Sequence, residues 1–480
     1  MGGGINGAGV LRDAALRGLR AVLFEKDDFA SGASGRSSKL IHGGLRYLET
    51  YEFKLVFEAC RERHVLLEQA PQLVRPLQFL YPVYRGHQHG LMAASAGVWL
   101  YDFLALFRNI RHPRVRLRGS TLKLEPSLRP KGLVGSVSYF DAVTHDTYLT
   151  LANFRHARET GAHAFNHAEV TGLLEQGGSV VGVRVKDGLS GRTFRVRARW
   201  TVNLTGPWGD RFLAAAVAGR KPLLRVTKGV HLVVPGTRLA IGRAVLMIAP
   251  QDGRVTFLIP WENTVLVGTT DSDFEGDPSH ARATREDVAY LLEAANYYFP
   301  QAKLVADDVI STFAGVRPLL ADPHRDPSQL SREHRIVWER PGLVTMAGGK
   351  LTTFRKMARQ LLDGLVERTP EWRGQTVSCA TEHVGLFHPH RETSASFGAA
   401  ARGWLSEEPM LSLPDLLDRR LDMLQLEPDH GLAHLDEATA ILSRHYGFSS
   451  AEMGRQREEY LDLVKRSLAG LNRQLPGGPL

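Results

Sequence analysis

The first residues of the chain have the types and the spacing that hold a pyrophosphate. Gly2, Gly4 and Gly7 form the pattern G-x-G-x-x-G within Gly2-Gly3-Gly4-Ile5-Asn6-Gly7-Ala8-Gly9. Such residues let the backbone turn tightly and approach an anion closely, and free N–H groups at a helix start face that anion. Glu25 follows at close to the ~20 residues expected of a dinucleotide site, where a carboxylate accepts from a ribose hydroxyl. The pattern alone is a weak signal. Here a helix-like run at 10–18 and an apolar, strand-like run at 20–24 stand between glycines and acid, in the order the chemistry needs.

Further stretches carry contact chemistry. Ser31-Gly32-Ala33-Ser34-Gly35-Arg36-Ser37-Ser38-Lys39 is a loop of small polar residues whose N–H groups and hydroxyls can wrap a cofactor. Next, Leu40-Ile41-His42-Gly43-Gly44-Leu45-Arg46-Tyr47 sets two glycines before an Arg-Tyr pair, which suits backbone passing near a ligand with a cation beside it. Gly348-Gly349-Lys350-Leu351-Thr352-Thr353 opens a helix predicted to reach about residue 366. It is either another anion contact or simply a well-capped helix start. The apolar strand at 200–204 stops at Thr205-Gly206-Pro207 and would bring Thr205-Gly206 beside the cofactor.

The elements that must position these residues are those of an α/β chain. The strand that should lead into the glycines, roughly five apolar residues, is missing, because only Met1 precedes Gly2. The expectation is a start assigned too late, or else an empty central place in the sheet. Residues 163–205 alternate with period two and turn at Gly177-Gly178 and Asp187-Gly188, which predicts a small antiparallel meander. A second sheet region is predicted from about 225 to 345, with a helix at 285–298 between its strands. Helices are expected over 52–70 and 148–161. Beyond 376 helical patterns come to dominate, ending in a frayed tail at Gln474–Gly478. The predicted domains are therefore 1–375, with cofactor and substrate parts interleaved, and a helical cap at 376–480.

Sixty Lys and Arg against 51 Asp and Glu give a net charge of +9 over 480 residues. That suits an anionic small substrate or an anionic membrane face, and equally a generally basic surface. The cations are dispersed and no nucleic-acid motif occurs, which argues against nucleic acid. Cys60 and Cys379 are the only cysteines, so no zinc or iron–sulfur ligand set exists and no metal is expected. No stretch reads as a secretory signal, in keeping with a cytoplasmic chain. The most apolar run is 91–107, broken by Asp102. Trp99, Tyr101, Phe103 and Phe107 could form a face lying on a membrane; a helix buried in the core is favoured over that reading.

Seven strings in order, GGGINGAG, SSKLIHGGLRYLE, NLTGPW, KGVHLVVP, IPWENTVLVGTTD, GVRPL and GGKLTTFRK, resemble the aerobic, quinone-linked FAD-dependent glycerol-3-phosphate dehydrogenases. The resemblance covers roughly 2–360, with a weaker match in the C-terminal helices. It implies a glutathione-reductase-like FAD-binding Rossmann domain, an antiparallel-sheet substrate domain and a small helical C-terminal domain. It implies oxidation of sn-glycerol 3-phosphate to dihydroxyacetone phosphate by hydride transfer from C2 to FAD, with electrons passed on to quinone. By that analogy Gly2, Gly4, Gly7 and Glu25 hold the ADP half of FAD. Ser37, Ser38, Lys39, Leu40, His42 and Gly43 line the flavin side. Val170 contacts the adenine, and Gly206, Gly349, Lys350, Leu351 and Thr352 pass near the cofactor.

Arg46, Tyr47, Arg317 and Arg332 are implied to clamp the substrate phosphate, arginine being suited by its fork of donors. His231 is the first choice of proton acceptor, since an unperturbed pKa of ~6.5 suits that role. Lys350 is the second, or else a charge beside the reduced flavin. The resemblance leaves room for a homodimer and for a peripheral seat on the inner face of the cell membrane. One departure stands out. Where the family shows Asp-Asp-Ala-Arg-Leu, this chain has His145-Asp146-Thr147-Tyr148-Leu149, a change expected to touch no residue assigned to the chemistry. Two other readings stay open: an FAD-dependent oxidoreductase acting on an amino acid or 2-hydroxy acid, and a truncated inactive paralogue.

Overall fold

The computed structural model describes residues 1–217, 219–322, 330–387, 396–471 and 473; the tail at 474–478 lies outside them. The glycine-rich stretch is itself helical. The first helix runs Ile5–Leu16, with Gly4 as its N-cap, rather than starting at residue 10. Gly2 turns the chain into it with φ +103°, a left-handed value that favours glycine. A Cβ on Gly7 would stand 2.0 Å from the Gly2 carbonyl oxygen, so the turn closes only on glycine. This helix packs between Asp146–Glu159 and Phe354–Glu367.

The strand Val22–Phe24 ends at Glu25, as expected, and pairs in parallel with His163–Phe165. Thr201–Asn203 pairs in parallel with Leu343–Gly348, which pairs antiparallel with His334–Arg340. Between these two pieces lie Met1 and Gly2. The Met1 ammonium donates to the Val202 carbonyl at 2.9 Å. The Leu204 N–H donates to the Met1 carbonyl at 2.9 Å, and the Gly2 N–H to the Phe24 carbonyl at 3.0 Å. The place predicted for a leading strand is thus held by two residues that tie both sides together. The predicted meander is present as Ala168–Gln176, Ser179–Asp187 and Thr193–Arg197.

The larger sheet is wider than the sequence region assigned to it. Its strands from the predicted region include Leu224–Pro235, Ala244–Ile248, Val255–Trp261, Thr264–Gly268 and Ser311–Leu320. They are joined by Leu40–Ile41, Val74–Tyr84 and Leu133–Thr144, with Ala244–Ile248 running parallel to Val74–Tyr84. Both faces are covered. Val230, Leu232 and Val234 enter one apolar cluster, and Val233, Leu246 and Phe313 enter another. Strand alternation therefore sets His231 on the face shared with Val233. The helix Arg285–Tyr298 has the predicted bounds, and a Thr284–Asp287 capping box fixes its start.

The C-terminal helices include Phe397–Glu407, Leu435–Tyr446 and Ser450–Ser467. Their apolar side chains join the cluster that contains Ile5, Ala8 and Leu11 of the first helix. A buried ionic knot reinforces the joint. Asp28 accepts from Arg419 at 2.7 Å, from Asn166 at 2.8 Å and from Arg420. Asp415 pairs with Arg419 and His167 at 2.7 and 2.8 Å. Asp28, His167 and Asp415 stand close enough to hold a metal ion, but the two arginines already balance these carboxylates.

The favoured reading of 91–107 as a helix buried in the core is overturned, since one side of it is exposed, and the alternative aromatic face is corrected in one residue. Along Leu91–Leu104, Trp99 and Phe103 are exposed, as is Phe107 beyond, but Tyr101 is fully buried. Its hydroxyl donates to Asp141 at 2.7 Å and accepts the Gly43 N–H at 2.7 Å. A phenol that finds partners inside turns inward, and Met92, Leu100 and Leu106 complete the outer face instead. Among the described residues no helix is long and apolar enough to cross a membrane.

Candidate active site

A cleft of about 570 Å³ runs from the glycine-rich turn to the large sheet. Gly2, Gly4 and Glu25 line its far end, with Val170 beside them. Gly206 and the run Gly349-Lys350-Leu351-Thr352 line one flank. Ser37, Ser38, Leu40 and His42 line the other, and His231, Tyr47, Arg317 and Arg332 meet at the inner end. Residues from distant parts of the sequence thus converge on one cleft.

Four predicted residues are placed otherwise. Gly7 packs under Gly2 instead of facing the cleft. Gly43 is backed against Cys60 and Tyr101, where a Cβ would come within 2.4 Å of either side chain. Arg46 lines an adjoining cavity. Lys39 is the clearest correction. Its ammonium is buried on Asp146 at 2.7 Å and lies 4.3 Å from the Trp261 ring centroid. A lysine that finds a buried carboxylate has no reason to point into the cleft.

Within the stretch that differs from the family pattern, Asp146 is a position that agrees with it, and it accepts from both the N–H and the hydroxyl of Ser37, at 3.0 and 2.7 Å. It thereby shapes the loop from 37 to 39. Lys39 and these hydrogen bonds hold its carboxyl below the usual range despite burial.

His231 is 2% exposed, and its ring stacks on Phe313 at 4.9 Å between centroids. Nε2 lies 2.8 Å from Ser38 Oγ, while Nδ1 has no hydrogen-bond partner. Burial first, then the nearby cations Arg317 and Lys39, lower its pKa to about 3. The ring is therefore uncharged at neutral pH and able to accept a proton, but it is a much weaker base than the free side chain. Gly268 makes room for it: a Cβ there would stand 2.3 Å from the imidazole.

The cations at the inner end share few carboxylates. Arg317 pairs with Asp271 at 3.0 Å and donates to Thr269 Oγ1 at 2.9 Å. Arg332 approaches the other oxygen of Asp271 at 3.4 Å. The Lys350 ammonium sits 3.7 Å from the Tyr47 ring centroid and donates to the Gly43 carbonyl at 3.4 Å. Burial and Arg332 lower the Lys350 pKa, with Tyr47 acting against them. Burial resists ionisation of Tyr47, but Lys350, Arg332 and Arg46 pull its hydroxyl below the ordinary value. His42, buried beside Lys350, Arg63 and Arg46, is lowered to about 3. Asp271 escaped the sequence analysis, although it closes the string IPWENTVLVGTTD; nothing local tells a bridging aspartate from a turn residue.

The residues present fit a flavin dinucleotide. The helix start offers its N–H groups, with the Ile5 N–H on Ser34 Oγ at 2.9 Å. Glu25 is oriented by the N–H groups of Gly3 and Asp27, at 2.5 and 2.9 Å. A side chain on Gly2 or Gly4 would crowd this end of the cleft.

Fold and site together define a flavin-dependent oxidoreductase, and residues 1–355 match the family described as FAD dependent oxidoreductase. The chain is 38% identical over 400 residues to the aerobic glycerol-3-phosphate dehydrogenase of Staphylococcus saprophyticus, spanning 83% of this chain and 72% of that one. Against the enzyme of the same name from Staphylococcus aureus it is 38% identical over 388 residues, 80% of this chain and 70% of the other. The structure of the glycerol-3-phosphate dehydrogenase from Bacillus halodurans complexed with FAD superposes with TM-score 0.79 at 27% identity, covering 98% and 95% of the two chains. Glycine oxidase from Geobacillus kaustophilus shares the fold, with TM-score 0.58 at 20% identity over 81% and 97% of the chains. The chain belongs to the aerobic glycerol-3-phosphate dehydrogenase family of FAD-dependent oxidoreductases.

Proposed function

We propose that this chain oxidises sn-glycerol 3-phosphate to dihydroxyacetone phosphate, with FAD in the cleft and quinone as the final acceptor. The observation that carries this reading is that uncharged His231 and the cations Arg317 and Arg332 meet at one end of the cleft. Those are an acceptor for a hydroxyl proton and a seat for a phosphate dianion, side by side. FAD bound in this cleft would supply the acceptor for the hydride from C2. Arg317 and Arg332, with Arg46 and Tyr47 beside them, hold the phosphate and so fix C2 over the cleft. His231 takes the hydroxyl proton, and Ser38 holds the ring in place. Lys350 supplies positive charge at the inner wall, where negative charge grows as the reaction proceeds. Gly2, Gly4 and Glu25 serve the ADP half of the cofactor, and Val170 its adenine.

The exposed apolar residues Met92, Trp99, Phe103, Leu106 and Phe107, near Arg108 and Arg111, support a peripheral seat on an anionic membrane surface. That is also where a quinone would be met. In this reading residues 1–375 form the catalytic unit and 376–480 a helical cap, with dimer formation through either part left to the oligomeric state in solution.

A dye-linked assay with sn-glycerol 3-phosphate, glycerol, glycine and lactate tests the substrate. Turnover confined to the phosphate ester is expected. Turnover of glycine or lactate in its place would move the chain to the amino-acid or 2-hydroxy-acid reading.

A further inference from the structure

Beside the cofactor cleft lies a second cavity of about 420 Å³, and Ser38, His42, Tyr47, Arg317 and Arg332 line both. Glycerol 3-phosphate has only about ten non-hydrogen atoms, whereas cavities of ~300–1,000 Å³ enclose ligands of drug size. The extra room is chemically divided. At the inner end Arg317 and Arg332 both pair with Asp271, and Arg46 stands beside them. The other end is walled by Phe79, Tyr139, Leu246 and Phe257. It reaches the helix Leu91–Leu104, where Gly97 and the exposed Leu100 line it. Leu100 also belongs to the outer apolar face with Met92, Trp99 and Phe103.

We propose that this side cavity binds a monoacyl glycerol phosphate, with its phosphate on the arginines and its single acyl chain along the apolar wall toward the Leu91–Leu104 surface. The inference rests on the glycerol 3-phosphate reading of the arginine cluster and extends it to an amphiphile with the same head. Charge selects this occupant. An uncharged ring compound would fill the apolar end but bring no negative charge to Arg317 and Arg332, whereas a phosphate dianion pairs with both. The cavity reaches the apolar face proposed above to sit on a membrane, where such a lipid would be concentrated.

The test is calorimetric titration of the FAD-loaded protein with 1-octanoyl-sn-glycerol 3-phosphate below its micelle concentration, beside sn-glycerol 3-phosphate, inorganic phosphate and decylubiquinone. A second arm uses Gly97→Phe, because a Cβ at Gly97 meets no atom within 4 Å and a ring there would occupy the mouth. Ala93→Trp, at the exposed rim of the same cavity, serves if the first variant does not fold. The octanoyl compound is expected to bind at least tenfold tighter than sn-glycerol 3-phosphate and to be displaced by it. The Gly97→Phe variant should lose that gain and bind sn-glycerol 3-phosphate within twofold of the parent.

Equal affinity for the two esters, or a gain that survives Gly97→Phe, would overturn the proposal. So would displacement by decylubiquinone and not by sn-glycerol 3-phosphate, which would assign the cavity to the acceptor. Affinity matched by inorganic phosphate would reduce it to an anion site. If sn-glycerol 3-phosphate leaves the flavin oxidised, the functional reading fails by itself, and the Gly97→Phe titration still decides what the cavity binds.

Discussion

Asp271 Oδ1 lies 3.0 Å from Arg317 Nη1, and its second oxygen lies 3.4 Å from Arg332 Nη2. One carboxylate thus spaces two guanidinium groups that reach it from separate strands and loops. The arrangement holds both forks at the inner end of the cleft before any anion arrives. Pre-set donors bind a phosphate without the cost of ordering two long side chains.

Asp271→Asn is therefore expected to raise KM for sn-glycerol 3-phosphate about tenfold and to change kcat by less than about threefold, since the arginines lose their spacing but keep their charge. Steady-state kinetics with a dye acceptor checks this. A fall in kcat at constant KM would place Asp271 in the chemical step instead.

His231→Ala removes the proposed proton acceptor and is expected to slow flavin reduction by roughly 100-fold or more. Stopped-flow absorbance at the flavin band measures it directly. FAD content should stay near that of the parent, because His231 sits at the inner end of the cleft, away from Gly2 and Glu25. Unchanged reduction would shift the role to Lys350.

Asp146→Asn takes the charge from a buried aspartate that holds Ser37 and Lys39. It leaves the Lys39 ammonium inside the protein without its counter-ion. Breaking such a pair costs on the order of 3–5 kcal/mol, and the loop at 37–39 should loosen with it. The expected result is a lower urea midpoint together with weaker FAD retention on gel filtration. A midpoint and flavin content equal to the parent's would contradict the role given to Asp146 in holding the loop.

Buried histidines act on stability in opposite directions as the pH changes. His42 and His231 are both lowered to about 3. Between pH 3 and 6.5 the unfolded chain binds protons that the folded one refuses, so stability is full above 6.5 and falls with acid, at ~1.4 kcal/mol per pH unit for each histidine. His167 is the opposite case. Its pairing with Asp415 outweighs burial and raises it to about 9, so its contribution is full below 6.5 and is lost as pH rises through 9. Urea midpoints from pH 5 to 9.5 test both limbs. His167→Gln should flatten the alkaline limb and leave the acid one; an unchanged alkaline slope would refute the role given to the His167–Asp415 pair.

The sequence made the glycine turn, Glu25, the meander and the C-terminal helices legible because each has a local signature: spacing, alternation or helical period. It also put most cofactor-side residues at the cleft. It missed what depends on distant partners. Lys39 reads as a loop lysine until Asp146 meets it, and Asp146 lay in a stretch judged silent. Tyr101 reads as part of an aromatic face until Asp141 and Gly43 claim its hydroxyl. The wide sheet takes strands from 40–144 and joins them to the later strands where Val74–Tyr84 meets Ala244–Ile248, far along the chain. The basicity of His231 was read from the free side chain, whereas burial beside Arg317 sets it. In each case the local residue type was read correctly and the partner that decides its role lay elsewhere in the chain.

The most direct measurement is the anaerobic absorbance spectrum of the purified protein before and after addition of sn-glycerol 3-phosphate, with dihydroxyacetone phosphate assayed in the filtrate. The account predicts a flavin band that bleaches and one dihydroxyacetone phosphate formed per flavin reduced. A flavin band that persists with no product would contradict it.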